Sequence, residues 1–273
     1  MQGDSAHDLS GTIAVVAPHM DDELIGCGGI LATDGVGRRA HVIYASDGSR
    51  SPTSPYPWRR TDRAALARAR EEEARVGLDK LGLPPENAHF LGLPDGSLQR
   101  RRSQLEELLA LKLAALDPDH LLVPFRMDFH PDHLAVAAAT RNLLDAGNIT
   151  AEVLEYFAYA RWKLLPGRDI RGHIRDGALL RFDLTPDALE RKRQAFLAHS
   201  SQTSRFYPWQ KRANLTPEFV DVHCTGPEFL VRPVPGEHPD AIFTSSRLWI
   251  HTVHTVEPRL KRAKDFVLDL LRG

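Results

Sequence analysis

Five short apolar runs, spaced by segments of helical length, constrain this chain more than any other feature. The runs are TIAVVA (12–17), AHVIYAS (40–46), NAHFLGL (87–93), HLLVPF (120–125) and AEVLEYFAYA (151–160). TIAVVA is apolar at nearly every position, the pattern of a strand buried on both faces. Four intervening segments read as helices: LIGCGGILATDG (24–35), TDRAALARAREEEARVGLDKLG (61–82), SLQRRRSQLEELLALKLAAL (97–116) and PDHLAVAAATRNLLDAG (131–147). The glycines of the first helix would let it pack close to a sheet. Thr61 could cap the second, and Pro131 suits the first position of the fourth. Strands alternating with helices imply right-handed crossovers. The expected fold is therefore α/β and Rossmann-like: a mostly parallel sheet with helices on both faces.

The rear of the chain is less regular. LLRFDL (179–184) reads as a strand, PDALERKRQAFLAHS (186–200) as a helix, and PRLKRAKDFVLDLLRG (258–273) as a C-terminal amphipathic helix. No linker marks a second domain, so a single domain over residues 1–273 is expected. Lys and Arg (35) nearly balance Asp and Glu (36), which argues against nucleic acid or an anionic membrane as partner. The two cysteines, Cys27 and Cys224, are too few for a disulfide framework and suit a reducing compartment. The start MQGDSAHDLSG lacks a basic-then-apolar layout, and no apolar run approaches the roughly 18 residues of a membrane span. A cytoplasmic protein is expected.

In parallel sheets of this kind, ligands bind beyond the carboxyl ends of the strands. APHMDDE (17–23) follows the first strand and RMDFHPDH (126–133) follows the fourth. His19 and Asp22 are three positions apart, and a turn there can aim both at one ion. His130 and His133 have the same spacing, with His130 held outside the helix by Pro131. A catalytic zinc site takes three nitrogen, oxygen or sulfur ligands and leaves one position open. His19, Asp22 and one of the two later histidines meet that count. A dication would also make the run Asp21, Asp22, Glu23 favourable where the carboxylates would otherwise repel. Hydrolysis then needs a base, for which Asp21 and Glu23 are the nearby candidates. The histidine left off the metal could stabilise an oxyanion or donate a proton, its ring held by Asp132 or Asp128. The simpler alternative is that Asp21 or Asp22 merely caps the following helix. Cys27, beside Gly26 and Gly28, reads as close packing rather than a ligand. The chain has no dinucleotide fingerprint, Walker loop, G-x-S-x-G elbow or H-E-x-x-H motif.

At these residues the sequence resembles the PIG-L/LmbE-like family of zinc-dependent N-deacetylases. The family hallmark Pro-His-Pro-Asp-Asp-Glu here reads PHMDDE, with Met20 in place of the second proline, a change expected to loosen the backbone locally and spare the ligands. His-Pro-Asp-His is intact at 130–133. Weaker matches are ASDGS (45–49), Arg70 and Glu73 followed by Leu81-Gly82, LGLPDG (91–96) and KRQAFLAHSSQ (192–202). The similarity runs in order over about 12–202. It implies Zn2+ bound by His19, Asp22 and His133, with Asp21 as general base. It implies that His130 stabilises the oxyanion or acts as acid, oriented by Asp132, and that Arg70 and Asp95 contact substrate hydroxyls. Fe2+ or Co2+ could fill such a site.

The implied activity is removal of an acetyl group from an N-acetylated amino sugar or a conjugate of one. Alternatives are an amidase acting on a larger acyl group of a sugar–thiol conjugate, or a non-catalytic metal- or sugar-binding module. The expected partner is a small N-acetylated sugar; a homo-oligomer is open. Tyr56–Trp58, Trp162, Tyr207–Trp209 and Trp249 could stack on a sugar, though core packing explains each alone as well. His251 and His254 could form a second metal or regulatory site.

Overall fold

Strand β1 (Ile13–Ala17) is buried along its whole length because its alternate side chains enter two different cores. Ile13, Val15 and Ala17 face one, Ala14 and Val16 the other. That double burial is why the segment is apolar at every position. The computed structural model describes residues 9–52, 61–128, 130–158 and 174–233, with the backbone of 163–165 and 168–169. Tyr56–Trp58, Trp162, Trp249, His251, His254 and the expected helix at 258–273 lie outside the described residues.

The remaining strands are β2 (Ala40–Ser46), β3 (Ala88–Leu93), β4 (His120–Pro124), β5 (Glu152–Tyr156), β6 (Lys163–Leu165), β7 (Arg168–Asp169), β8 (Leu179–Phe182) and β9 (Glu228–Val231). Among the described residues, seven strands form one sheet in the order β3-β2-β1-β4-β5-β9-β8; β6 and β7 pair separately. All neighbours from β3 to β5 are parallel, while β9 runs antiparallel to both β5 and β8. The fold is thus α/β with a mostly parallel sheet, as the alternation of runs predicts. Strand β9 is not legible in the sequence, since four residues are too few to show a period. Strand β5 stops at Tyr156, short of the expected 160.

The strand order reverses between β1 and β4. Ile13 lies level with both Ala40 and His120, so β1 and β4 end side by side. Their carboxyl ends therefore flank the switch-point crevice, and the two motif loops emerge next to each other.

The helices are α1 (Asp22–Leu31), α2 (Arg63–Leu81), α3 (Arg102–Leu116), α4 (Pro131–Asp145), α5 (Pro186–Ala198), α6 (Ser200–Thr203) and α7 (Pro217–His223). Helices α1, α2, α5 and α7 cover one face of the sheet, α3 and α4 the other. Asp62, rather than Thr61, caps α2 by accepting from Ala65 N at 2.9 Å. Residues Leu98–Arg101 form a 3-10 turn, so the segment expected as one helix from 97 is α-helical only from Arg102. Gly26 does let α1 pack close: a Cβ there would lie 2.1 Å from the Tyr156 ring on β5. Helix α1 kinks at Cys27 (φ −148°), and Glu228 of β9 accepts from Gly29 N and Ile30 N, each at 2.8 Å. Lys192 of α5 completes that buried knot, 2.6 Å from Glu228 Oε1. Among the described residues no helix is long and apolar enough to cross a membrane, and both cysteines are free and buried.

Candidate metal centre

The chain leaves β1 at Ala17 and turns so that Asp21 N and Asp22 N both point at His19 O, at 3.1 and 3.3 Å. The turn holds Asp21 at φ 153°, a conformation costing a non-glycine residue on the order of 1–3 kcal/mol and concentrated in proteins at functional sites. Asp21 occupies the cap position of α1, but its side chain makes no capping hydrogen bond. Helix capping therefore does not account for its carboxylate.

Asp22 Oδ2 is where the two loops meet. His19 donates its backbone N–H to this oxygen at 2.8 Å, and His19 Nδ1 lies 3.0 Å from it. From the other loop, His133 Nε2 approaches it to 3.1 Å. Asp22 Oδ1 is buried with no hydrogen-bond partner. On its far side the His133 ring faces Asp128, with Nδ1 3.5 Å from Asp128 Oδ2. The ring thus stands between two carboxylates; with a cation on Nε2, the remaining proton would sit on Nδ1, toward Asp128. Asp128, expected with Asp132 beside the histidine off the metal, serves both: its Oδ1 accepts from His130 N at 3.1 Å and its Oδ2 faces the His133 ring.

His130 caps α4 in the extended conformation that Pro131 requires (φ −89°, ψ 130°). Its Nδ1 accepts from Asp132 N at 3.2 Å, so a neutral ring carries its proton on Nε2. Its ring centroid lies 4.8 Å from that of His19 and 5.1 Å from that of His133. One ring nitrogen from each of the three histidines falls within 4.8 Å of the others.

Of the two base candidates, Glu23 is fully buried. Tyr44 Oη donates to its Oε1 at 2.8 Å and Asp21 N to its Oε2 at 3.2 Å. Asp21 is 5% exposed. Its Oδ2 lies 3.2 Å from a guanidinium nitrogen of Arg70. Arg70 was expected to reach substrate hydroxyls, yet it is 1% exposed and donates to Met20 O (2.6 Å) and Gly48 O (3.1 Å). Met20, standing where the family pattern has proline, is buried in the core and has its carbonyl held by Arg70. The loop is thus anchored by side-chain packing and one guanidinium. Asp95, also expected at substrate, has Oδ1 3.4 Å from His19 Nε2 and accepts Arg50 N through Oδ2 at 2.9 Å.

The charges follow from burial and from these neighbours. Burial pushes Asp21 up to about 6, against the pull of Arg70. Burial also pushes Asp22 up, but His133 and His19 outweigh it and hold the carboxyl well below its ordinary range. Burial lowers His133, and Asp22 with Asp128 overcomes that, to about 9. Burial and then the two neighbouring imidazoles drive His130 down to about 3. Burial lifts Glu23 to about 8, against the hydrogen bond from Tyr44. The buried carboxylates around His19 and His133 draw positive charge toward those rings. A divalent cation with neutral imidazole ligands matches that field.

The donor set fits such an ion: two imidazole nitrogens close to one carboxylate oxygen, that carboxylate's second oxygen buried and unpaired, and a carboxylate behind one imidazole. Fold and site together define an α/β protein with a nitrogen–oxygen donor set, able to hold a metal, at the switch point of its sheet. Residues 14–144 match the PIG-L family model, described as GlcNAc-PI de-N-acetylase. The chain is 30% identical over 164 residues to 2'-N-acetylparomamine deacetylase of Streptomyces fradiae, spanning 55% of this chain and 58% of that relative. Among solved structures it is similar to a conserved protein of Thermus thermophilus (TM-score 0.56, 21% identity, 82% of this chain and 96% of that one). It is also similar to N,N'-diacetylchitobiose deacetylase of Pyrococcus horikoshii (TM-score 0.51, 20% identity, 72% and 75%).

Other family-like segments serve as braces. Glu73 of α2 accepts from Ser200 Oγ (2.8 Å), Ser201 N (2.7 Å) and Ser201 Oγ (2.6 Å), tying KRQAFLAHSSQ to α2. Tyr207 and Trp209 stack on each other at 5.2 Å, and Tyr207 Oη donates to Asp62 O at 2.8 Å. The sequence reading missed the Tyr44–Glu23 and Lys192–Glu228 pairs. Neither leaves a local signal, because the partners lie on separate elements.

Proposed function

We propose that this protein is a metal-dependent N-deacetylase that releases acetate from an N-acetylated amino sugar or a conjugate of one. The observation that carries the reading is a buried carboxylate held by Arg70, Asp21, next in sequence to a histidine–aspartate set suited to a divalent cation. His19, Asp22 and His133 hold the ion; zinc suits the donors, and Fe2+ or Co2+ would also. When bound, the cation supplies Lewis acidity and makes a water more acidic. Asp21 accepts the proton of the attacking water, with its carboxylate kept in place by Arg70. His130, protonated on Nε2, donates a hydrogen bond to the oxygen that gains charge. The departing nitrogen takes its proton from Asp21, which received it from the water. Support for an amino-sugar substrate comes from the relative in Streptomyces fradiae, a deacetylase of an N-acetylated paromamine by name.

The test is amine release from N-acetylated amino sugars and pseudo-disaccharides, with and without a chelator, for the wild type and Asp21→Ala. The wild type should lose turnover on chelation and regain it with Zn2+. Asp21→Ala should lose about 100-fold or more in kcat, the usual range for a general base. Undiminished turnover in that variant would remove Asp21 from its role.

A further inference from the structure

The Asp132 carboxylate lies beside His19, while its main-chain N–H serves His130. Its Oδ2 accepts from Gly96 N at 2.7 Å and stands 3.4 Å from His19 Nε2; its Oδ1 accepts from Leu98 N at 3.0 Å. Asp95 brings a second oxygen to the same ring nitrogen, also at 3.4 Å. Asp95 is itself fixed: its own N–H donates to Asp47 Oδ1 at 3.1 Å, and Arg50 N donates to its Oδ2 at 2.9 Å. The opposite nitrogen of the His19 ring, Nδ1, faces Asp22. His130 takes its orientation from a main-chain donor instead, Asp132 N to Nδ1 at 3.2 Å.

We propose that Asp132 and Asp95 are positioning residues for His19, forming a carboxylate–imidazole–metal relay at that ligand, and that the His130 ring is set by the backbone of α4. This rests on the reading that His19, Asp22 and His133 hold the cation. A neutral imidazole that ligates through Nδ1 carries its remaining proton on Nε2. Two carboxylate oxygens there accept that proton, fix the tautomer and the ring plane, and raise the basicity of Nδ1. Because Asp132 and His133 are adjacent in the first turn of α4, one segment delivers both a ligand and the partner of another ligand. The LPDG turn (93–96), through Asp95 and Gly96 N, becomes part of the metal centre. Asp128 plays the matching role behind His133, so each imidazole ligand has its own carboxylate support.

The experiment is Zn2+ affinity of the full chain, measured by competition with a chromophoric chelator, for the wild type, Asp132→Asn, Asp95→Asn and Asp22→Asn. Removing an outer carboxylate should loosen zinc by about 10–100-fold in each of the first two variants. Asp132→Asn could also unsettle the turn at Gly96 and Leu98, so each variant is melted without metal, and Asp95→Asn decides the outcome if Asp132→Asn is not folded. If Asp22→Asn is weakened while folded Asp132→Asn and Asp95→Asn bind as tightly as the wild type, the positioning role is overturned. If Asp22→Asn itself binds zinc like the wild type, the ligand set is what fails. The kinetic counterpart separates the two assignments of Asp132. A role at His130 would lower kcat at saturating zinc with affinity unchanged; a role at His19 shows first in the affinity.

Discussion

Arg70 shows how one side chain can control a site it does not face. Its guanidinium reaches Met20 O, Gly48 O and the Asp21 carboxylate from a position 1% exposed. A planar fork can span such divergent acceptors; an ammonium cannot. Arg70→Lys should therefore lower kcat by about tenfold or more, the ~1.4 kcal/mol scale of one charged hydrogen bond, while leaving KM nearly unchanged. Steady-state kinetics on the best acetylated substrate checks this. A raised KM with kcat intact would return Arg70 to the substrate-contact role that the family resemblance implies. At this scale the sequence marked the candidate residues, because the proposed ligands and base fall in two short motifs. It could not show what stands behind them. Asp128 and Asp132 are both near His130 and His133 in sequence, and only the turn geometry sets the Asp128 side chain between the His130 main chain and the His133 ring.

At the scale of elements, α1 depends on contacts from far along the chain. Its break at Cys27 frees Gly29 N and Ile30 N, and Glu228, far along the sequence on β9, accepts both. Lys192 lies against Glu228 and is almost wholly buried. Removing one member of a buried ion pair strands the other, at a cost of about 3–5 kcal/mol. Lys192→Met should lose about that much stability in urea unfolding, and adding Glu228→Gln should recover part of it. Gly26 gives an independent check, because a methyl there would strike the Tyr156 ring, whose hydroxyl is committed to Val16 O at 3.0 Å. Gly26→Ala should cost about 1–3 kcal/mol by overpacking, read in the same unfolding experiment. The sequence anticipated close packing of this helix from its glycines. It carried no hint of the break or of β9, since four residues such as EFLV hold too little pattern to name a strand.

Over the whole molecule, buried titratable groups set how stability depends on pH. His199 is buried against Gly77, and burial, reinforced by Arg70, pulls its pKa from 6.5 to about 3. The unfolded chain thus takes up a proton at this residue below about pH 6.5 while the folded protein does not. The stabilisation is complete above pH 6.5 and declines toward pH 3, by about 1.4 kcal/mol per pH unit in that window. His199→Asn should lack this component, so its unfolding free energies at about pH 7 and about pH 4.5 should differ less than those of the wild type. Equal pH dependence in the two proteins would show that His199 is protonated when folded. What the sequence determined by itself was local and periodic: five runs apolar at the spacing of strands, helices between them, and two loops dense in imidazole and carboxylate. Strand pairing and the switch point between β1 and β4 follow from those runs by general rules, so the meeting of the two loops was foreseeable. Only the tertiary structure decided the second layer: Arg70 beneath Asp21, Asp95 and Asp132 against His19, and Glu228 in the gap of α1. Those contacts join residues separated by tens to hundreds of positions, and they depend on angles and distances of a few ångströms that no periodicity encodes.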